Sequence, residues 1–377
     1  MPALLDFARG VRQHSGLPRI GIDLRLGSQA IAAADQESCR QWRDRFAAQG
    51  IAFTSLNAFP LRPFQSDVVK DQAYAPDWGS QQRLDDSMAC IAIADALSAE
   101  DDALCTISTL PGSYRPWGEA CPAPALIAHN LGLWAAAAYQ HRASGGKQCL
   151  LCIEPEPCCS FGSGAELLQF WSHQRSAALA AARAILGSAA DAESAIAQHL
   201  ATCWDTCHAS VVYENQATTI AALSHLGLPP RKLQYSAAPM THIPLQAEAI
   251  EALIAMDEPR FCHQVGLVWE GDEGTHSEIL PDISDLTQRW HSWQQRIPEG
   301  LRSLRCHFHI PIDGQPAHPL LTSSIEESRQ GLAAALRHGA HHISVETYTW
   351  SLLADSSVDR MQGTARELQT LVSHLAQ

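Results

Sequence analysis

Four short apolar runs in this 377-residue chain end in side chains that can hold a metal ion or move a proton. Leu150-Leu151-Cys152-Ile153 ends in Glu154, and the run beginning near His199 ends in Cys203-Trp204-Asp205-Thr206-Cys207-His208. Arg305-Cys306 leads into His307-Phe308-His309, and His342-Ile343-Ser344-Val345 ends in Glu346. A carboxylate at the end of a strand this apolar must be paired, coordinated or strongly shifted in its titration. Asp205 and His208 suit a divalent ion jointly, or Asp205 ligates alone while His208 contacts substrate. His307 and His309 stand two apart, hence on one face of a strand, and at least one of them faces the site. Ligand types at the C-terminal ends of several strands predict an active site at the mouth of a β/α barrel.

Such a site needs strands to carry it. Apolar runs at 20–26, 51–56, 103–108, 148–153, the Asp205 segment, 231–236, 304–311 and 342–346 give eight strands, separated by stretches of helical period. Alternation of this kind argues for a parallel sheet. Eight units with recurring polar ends favour an α/β fold closed as a (β/α)8 TIM barrel, and no G-x-G-x-x-G follows the first strand. Residues 263–280 break the rhythm as a β-hairpin insertion between strands six and seven. No linker is visible, so 1–377 is expected to form a single TIM-barrel domain.

Composition sets the limits. The chain is 46% hydrophobic and carries a formal charge of −14, with no Lys/Arg cluster, which argues against a nucleic-acid partner. No apolar run approaches the length of a membrane span, so direct membrane insertion is not expected and the default is a cytoplasmic protein. The twelve cysteines are scattered and read as reduced, buried thiols. Cys149 and Cys152 are an odd number of positions apart on one strand, so they cannot chelate one ion.

Around the acidic ends lie candidates for substrate contact. Asn57 ends the second strand, and the long loop after it holds Lys70, Tyr74 and Trp78. Gln234 occupies the rim of strand six, where an amide can position a hydroxyl. Tyr74, Trp78, Trp117 and Trp350 would supply an apolar wall, since sugar rings present C–H faces that pack on aromatics. Glu156 reads either as a support to Glu154 or as an exposed carboxylate. His341 and His342 begin the last strand, at the end away from the site, and read as structural. Carboxylates with imidazoles and no thiolate set favour Zn, Mn, Fe or Mg.

Taken together, Asn57-Ala58-Phe59-Pro60, Val69-Lys70 with Tyr74-Ala75-Pro76-Asp77-Trp78, Ser108-Thr109-Leu110-Pro111, Glu154-Pro155-Glu156-Pro157, Asp205-Thr206-Cys207-His208, Lys232-Leu233-Gln234-Tyr235-Ser236, His263-Gln264-Val265, His307-Phe308-His309 and Glu346-Thr347-Tyr348 resemble the metabolite traffic protein EboE family. That family lies within the xylose isomerase-like TIM barrels. The resemblance implies a metal site drawing on Glu154, Asp205 and Glu346, with His208, His307 and His309 nearby. In the epimerase branch strand six supplies a histidine ligand, and here Gln234 stands in its place. The family name implies a small-molecule metabolite as partner, and other proteins of one export pathway.

Three functions are consistent with these residues. The first is a metal-dependent isomerase or epimerase of a small sugar or polyol, with the ion acting as Lewis acid. Glu154 and Glu346, on opposite sides of the substrate, would then exchange the proton with help from His208. In this reading Glu154, Asp205, His208, His309 and Glu346 hold the metal, and Asn57, Lys70, Tyr74, Trp78, Gln234, His307 and Trp350 bind substrate. The second is a metal-dependent hydrolase of a small phosphoester. The third is a non-catalytic metabolite-binding protein on the same scaffold.

Overall fold

The computed structural model describes residues 1–62, 68–272, 274–347 and 359–376. Six strands, β1 (Ile20–Arg25), β2 (Ile51–Asn57), β3 (Leu104–Thr109), β4 (Gln148–Ile153), β5 (Leu200–Asp205) and β6 (Pro230–Tyr235), pair in parallel in sequence order. The five that follow form a separate sheet in the order β11-β7-β10-β8-β9. They are β7 (Pro239–Thr241), β8 (Val265–Gly271), β9 (Gly274–Leu280), β10 (Leu301–Cys306) and β11 (Leu321–Ser323), and they pair antiparallel. The last strand, β12 (His342–Val345), returns to pair in parallel with β6.

The helices follow the strands. They are α1 (Pro2–Ser15), α2 (Ser28–Ala33), α3 (Gln36–Ala47), α4 (Gln81–Leu97), α5 (Pro124–Ala143), α6 (Gly164–Leu186) and α7 (Ala189–His199). After β5 come α8 (Thr206–Val211), α9 (Gln216–His225), α10 (Ala247–Ile254), α11 (Ile283–Ser292), α12 (Ile325–Arg337) and α13 (Arg360–Leu375). Between β1 and β2 the chain forms two helices rather than one, because Asp35 caps a new start by accepting the Ser38 N–H (2.8 Å).

The seven parallel strands curl into a nearly closed α/β barrel, as bonds across its interior show. Lys232 Nζ on β6 reaches Asp23 Oδ2 on β1 (2.6 Å) and Ser108 Oγ on β3 (2.9 Å). Beside it, His342 Nδ1 on β12, the register partner of Lys232, meets Thr106 Oγ1 on β3 (2.8 Å), an internal hydrogen bond in keeping with a structural place for that histidine. β3, β4 and β5 are buried along nearly their whole length, as expected for parallel strands covered on both faces.

The expected strand seven is corrected. Residues 301–306 lie in the antiparallel sheet, so the barrel has seven laddered strands among the described residues. The pairing decides it: β10 runs antiparallel to β8 and β7, with Arg302 its one exposed residue and the buried Arg305 paired with Glu327 (2.6 Å). The expected hairpin is β8–β9, part of this larger sheet rather than an isolated insertion. The second sheet buries an apolar core of its own, centred on Ile250, Leu253, Leu267, Leu286, Leu304 and Phe308. It is seated against α8 by Gly266, where a Cβ would fall 2.0 Å from Val211 O.

Candidate metal centre

Three strand ends and one crossing segment build the site. Glu154 extends β4 by one residue, its N–H donating to Thr109 O (3.1 Å), and Pro155 then stops the ladder. Asp205 ends β5 and caps α8, with Oδ1 accepting the N–H groups of Cys207 (2.7 Å) and His208 (3.0 Å). That cap turns the chain sharply enough to bring His208 back over the strand end. Glu346 follows β12 at the same rim.

The histidine pair arrives differently from the expectation. His307 and His309 lie beyond β10, not on it, where Phe308 N–H donates to Cys306 O (2.9 Å) in a tight turn. Ile310 then exchanges two backbone bonds with Ala237 (2.8 and 3.1 Å) in the loop after β6. The segment thus leaves the second sheet and closes the barrel rim. Both imidazoles line the same cavity, together with Glu154, Glu156, His208 and Glu346.

Four groups of potential ligand atoms converge there among the described residues. Glu154, Asp205 and Glu346 each offer a carboxylate oxygen; Asp205, His208 and His309 form a second group, Glu156, His208 and His307 a third, and Cys207, His307 and His309 a fourth; in each, the ligand atoms lie within 4.8 Å of one another. Glu154 Oε2, Asp205 Oδ2 and Glu346 Oε2 are all buried without a hydrogen-bond partner. Leaving one such oxygen orphaned costs roughly 1–3 kcal/mol, and more when it is charged. Three at one point form a cradle that a cation would satisfy. Burial, and then Glu346, Asp205 and Glu156, push the Glu154 carboxyl well above its ordinary range. Burial and then Asp205 do the same to Glu346.

The imidazoles are oriented for coordination. His208 Nδ1 contacts Pro155 O (2.9 Å), His309 Nδ1 contacts Glu346 O (3.1 Å) and His307 Nδ1 contacts Gln264 Oε1 (2.5 Å). These oxygens accept, so each Nδ1 carries the hydrogen, a tautomer assigned from its partners; Ser236 Oγ shares the His309 Nδ1 (3.0 Å). With Nδ1 protonated, His307 and His309 turn the lone pairs of their Nε2 atoms toward each other at 3.1 Å. Two lone pairs at that distance repel unless a proton or a cation lies between them. Donation from the far ring nitrogen to a carbonyl is the usual support of a metal-bound histidine.

A polar chain backs this arrangement. Gln264 Nε2 donates to Tyr74 Oη (2.7 Å), Tyr74 O–H donates to Glu156 Oε1 (3.2 Å), and Glu156 Oε2 lies 3.0 Å from His208 Nε2. Burial would lower the His208 pKa, but Asp205 and Glu156 outweigh it and raise it. Burial holds His309 down to about 4, so that ring is neutral, the form in which an imidazole ligates a metal. Cys207 also lies beside His307 and His309, but burial, and then Asp205, push its thiol well above the ordinary range, which makes it a poor ligand.

The expected substrate residues divide. Asn57, Lys70, Tyr74 and His307 line the cavity, which has a volume of about 90 Å³. Lys70 Nζ pairs with Asp282 (2.5 Å) from the second sheet's side, tying the long loop to it. Trp78 is corrected: it is fully buried, its indole N–H donates to Thr109 Oγ1 (3.2 Å), and it does not line the cavity. Gln234 is also absent from the lining; it is buried, with Oε1 accepting from Cys203 Sγ (2.9 Å). Trp117 is half-buried and donates to Asp71 Oδ2 (2.8 Å), and Trp350 lies outside the described residues. The apolar wall comes instead from Phe59, Tyr74 and Phe261, with Tyr114 stacked on Tyr74 (centroids 4.3 Å apart). Glu154 and Glu346 each bring one carboxylate oxygen to within 4.8 Å of the other.

Sequence reasoning gave Glu156 no firm part and none to Gln264, Ser236 or Lys232. Pro on both sides of Glu156 was the available signal for it. Lys232 lies wholly buried inside the barrel, and Asp23 holds its pKa above the ordinary value against the effect of burial.

No family model matches the chain and no curated protein matches it, so the EboE likeness stays a resemblance of motifs. Solved structures do match. A xylose isomerase-like TIM barrel protein from Mycobacterium smegmatis, in complex with magnesium, aligns at 11% identity over 97% of this chain and 86% of that one, with a TM-score of 0.46. A xylose isomerase domain protein from Planctomyces limnophilus aligns at 14% identity over 61% and 68%, with a TM-score of 0.38. The probable 3-DHS dehydratase AsbF of Bacillus anthracis aligns at 9% identity over 63% and 68%, with a TM-score of 0.36. Among the described residues, no helix is long and apolar enough to cross a membrane.

Proposed function

We propose that this chain is a divalent-metal-dependent enzyme of the isomerase or epimerase type, acting on a small hydroxylated metabolite. The observation that carries the reading is the convergence of three orphaned carboxylate oxygens, on Glu154, Asp205 and Glu346, beside the imidazoles of His208 and His309. Glu154, Asp205 and Glu346 would hold the ion, with His208 and His309 on its nitrogen side. A set of oxygen and nitrogen donors without thiolate suits Zn, Mn, Fe or Mg.

When bound, the ion supplies Lewis acidity to a carbonyl and its neighbouring hydroxyl. The chain's own groups do the rest. Glu154 Oε1, which faces His208 Nδ1 at 3.9 Å, and the His208–Glu156 pair would accept and return the proton, with Glu346 as the second carboxylate of the site. Asn57, Lys70, Tyr74 and His307 would orient the substrate, and Phe59 and Phe261 would cover its C–H face. The fully buried places of Trp78 and Gln234 support a structural part for both.

The low-pKa histidines next to a carboxylate set also suit water activation, so hydrolysis of a small phosphoester is the second reading. A metabolite-handling role in an export pathway rests on the EboE resemblance alone, and so does a purely binding role.

Incubation of the protein with aldoses, ketoses and polyol phosphates in D2O, with Mn²⁺ or Zn²⁺, tests the proposal. Deuterium entering the carbon beside the carbonyl, and lost in Glu154→Gln, is the expected result. Release of inorganic phosphate without exchange would move the assignment to the hydrolase. Neither exchange nor release across the panel, with unchanged ligand recovered, would leave a binding protein.

A further inference from the structure

Among the described residues, the cavity at the metal centre is lined by three carboxylates, on Glu154, Glu156 and Glu346, and by one permanent cation, Lys70. A phosphate or carboxylate on a substrate is ordinarily held by an unspent Lys or Arg, or by unspent backbone N–H groups. Both kinds of handle are used up at this rim. Lys70 Nζ is paired with Asp282 Oδ2 (2.5 Å), and the N–H groups of Cys207 and His208 donate to Asp205. Arg25 donates to Pro60 O (2.7 Å) and Arg83 to Ala58 O (2.8 Å) and Pro76 O (2.7 Å), so both hold loop backbone and neither lines the cavity. Residues 63–67 and 348–358, outside the described residues, contain no lysine or arginine in the sequence.

The Lys70–Asp282 pair is fixed from both sides. Asp282 Oδ1 accepts the N–H groups of His263 and Ile283 (3.0 Å each), which leaves Oδ2 to the lysine. Opposite it, Val69 N–H and Lys70 N–H both donate to Arg260 O (2.7 and 2.8 Å). Lys70 has a φ of 41°, in the left-handed region that residues other than glycine seldom enter. The chain thus holds a disfavoured backbone just where its lining cation meets a carboxylate. Asp282 itself does not line the cavity, so it cancels the charge of Lys70 without taking up room there. A divalent ion does not fully neutralise three ionised carboxylates, so an anionic substrate would meet net negative charge with Lys70 already spent. Uncharged hydroxyls find partners in Asn57, Tyr74 and Glu156.

We propose that the Lys70–Asp282 pair is a charge filter, which confines the metal centre to uncharged polyhydroxy substrates and turns away their phosphates and carboxylates. The filter rests on the reading of the metal centre given above and names the substrate class of that same site.

Saturation-transfer NMR titration of the full chain in Mg²⁺ buffer tests this, with D-sorbitol and D-sorbitol 6-phosphate as probes. The two differ only by the phosphate, and neither has a carbonyl to react. The wild type should bind sorbitol more tightly by about tenfold or more. Asp282→Asn keeps a good cap on α11 and removes the charge, so it should narrow that ratio by about tenfold or more. Adding Lys70→Met to it should abolish the gain, and Asp282→Ser repeats the test if the Asn variant melts early. Equal or tighter binding of the phosphate by the wild type, binding of neither probe, or an unchanged ratio in a well-folded Asp282 variant would overturn the filter. The D2O exchange assay separates this from the parent reading. Exchange on sugar phosphates but not on free sugars overturns the filter alone. No exchange on any sugar, while sorbitol keeps its preference, overturns the isomerase reading and leaves the filter standing.

Discussion

Asp205 Oδ1 accepts the backbone N–H of His208 (3.0 Å), while Asp205 Oδ2 lies 3.9 Å from the Nε2 of the same histidine. One carboxylate therefore both sets the turn that delivers the imidazole and faces it across the site. The two tasks belong to different oxygens and separate by mutation. Asn is as good a helix cap as Asp, so Asp205→Asn should melt close to the wild type. Its affinity for Mn²⁺ or Zn²⁺ should fall by roughly 100-fold or more. Asp205→Ala should lose the same affinity and also about 1 kcal/mol of stability. Calorimetric titration and thermal melts on the pair distinguish the two tasks.

Burial and neighbouring carboxylates raise the pKa of Glu154 and of Glu346. An ion binds only their ionised forms, so binding must expel protons. Affinity should therefore weaken as pH falls, and ion binding should release protons to buffer. Titrations in two buffers of different ionisation enthalpy measure that release directly; no proton release would contradict the assignment of these ligands.

Tyr74→Phe keeps the stack on Tyr114 and removes one oxygen. Glu156 Oε1 loses its donor and Gln264 Nε2 its acceptor, both in buried surroundings. A loss of about 1–3 kcal/mol in denaturant unfolding is expected. Turnover should fall with it, because the chain from Gln264 to His208 is broken at its middle.

Much of the centre was legible because parallel strands end abruptly. Pro155 after Glu154 and the Asp205 cap before His208 are local signals, and both carboxylates stand where those signals put them. The second sheet was not legible. Leu301–Cys306 is as apolar locally as a barrel strand, and only its pairing with β8 and β7 separates the two cases. Lys232 read as an ordinary strand lysine, since its burial depends on Asp23 at the far end of the chain. Trp78 read as a wall residue because an aromatic in a long loop carries no mark of which side of the rim it packs.

Away from the centre, Glu367 on α13 accepts the Ile312 N–H (3.1 Å) and the Thr347 hydroxyl (2.8 Å). Burial raises its carboxyl from 4.5 to about 8, more than these bonds and Arg366 lower it. A carboxyl raised on folding favours the folded state while protonated. Its contribution is fully present below the unfolded value of 4.5 and is lost as pH rises through about 8. Glu367→Gln keeps both acceptor bonds and cannot ionise, so it should gain stability over the wild type as pH rises across that window. Equal pH slopes in urea unfolding of the two proteins would contradict it.

The central claim is that Glu154, Asp205 and Glu346 close on a divalent ion. The most direct test is elemental analysis of the purified protein beside Asp205→Asn and Glu346→Gln, each after reconstitution with Mg²⁺, Mn²⁺, Fe²⁺ and Zn²⁺. Near-stoichiometric metal in the wild type, lost in both variants, is the predicted result. A wild type that takes up none of the four ions, or variants that keep the wild-type content, would contradict it.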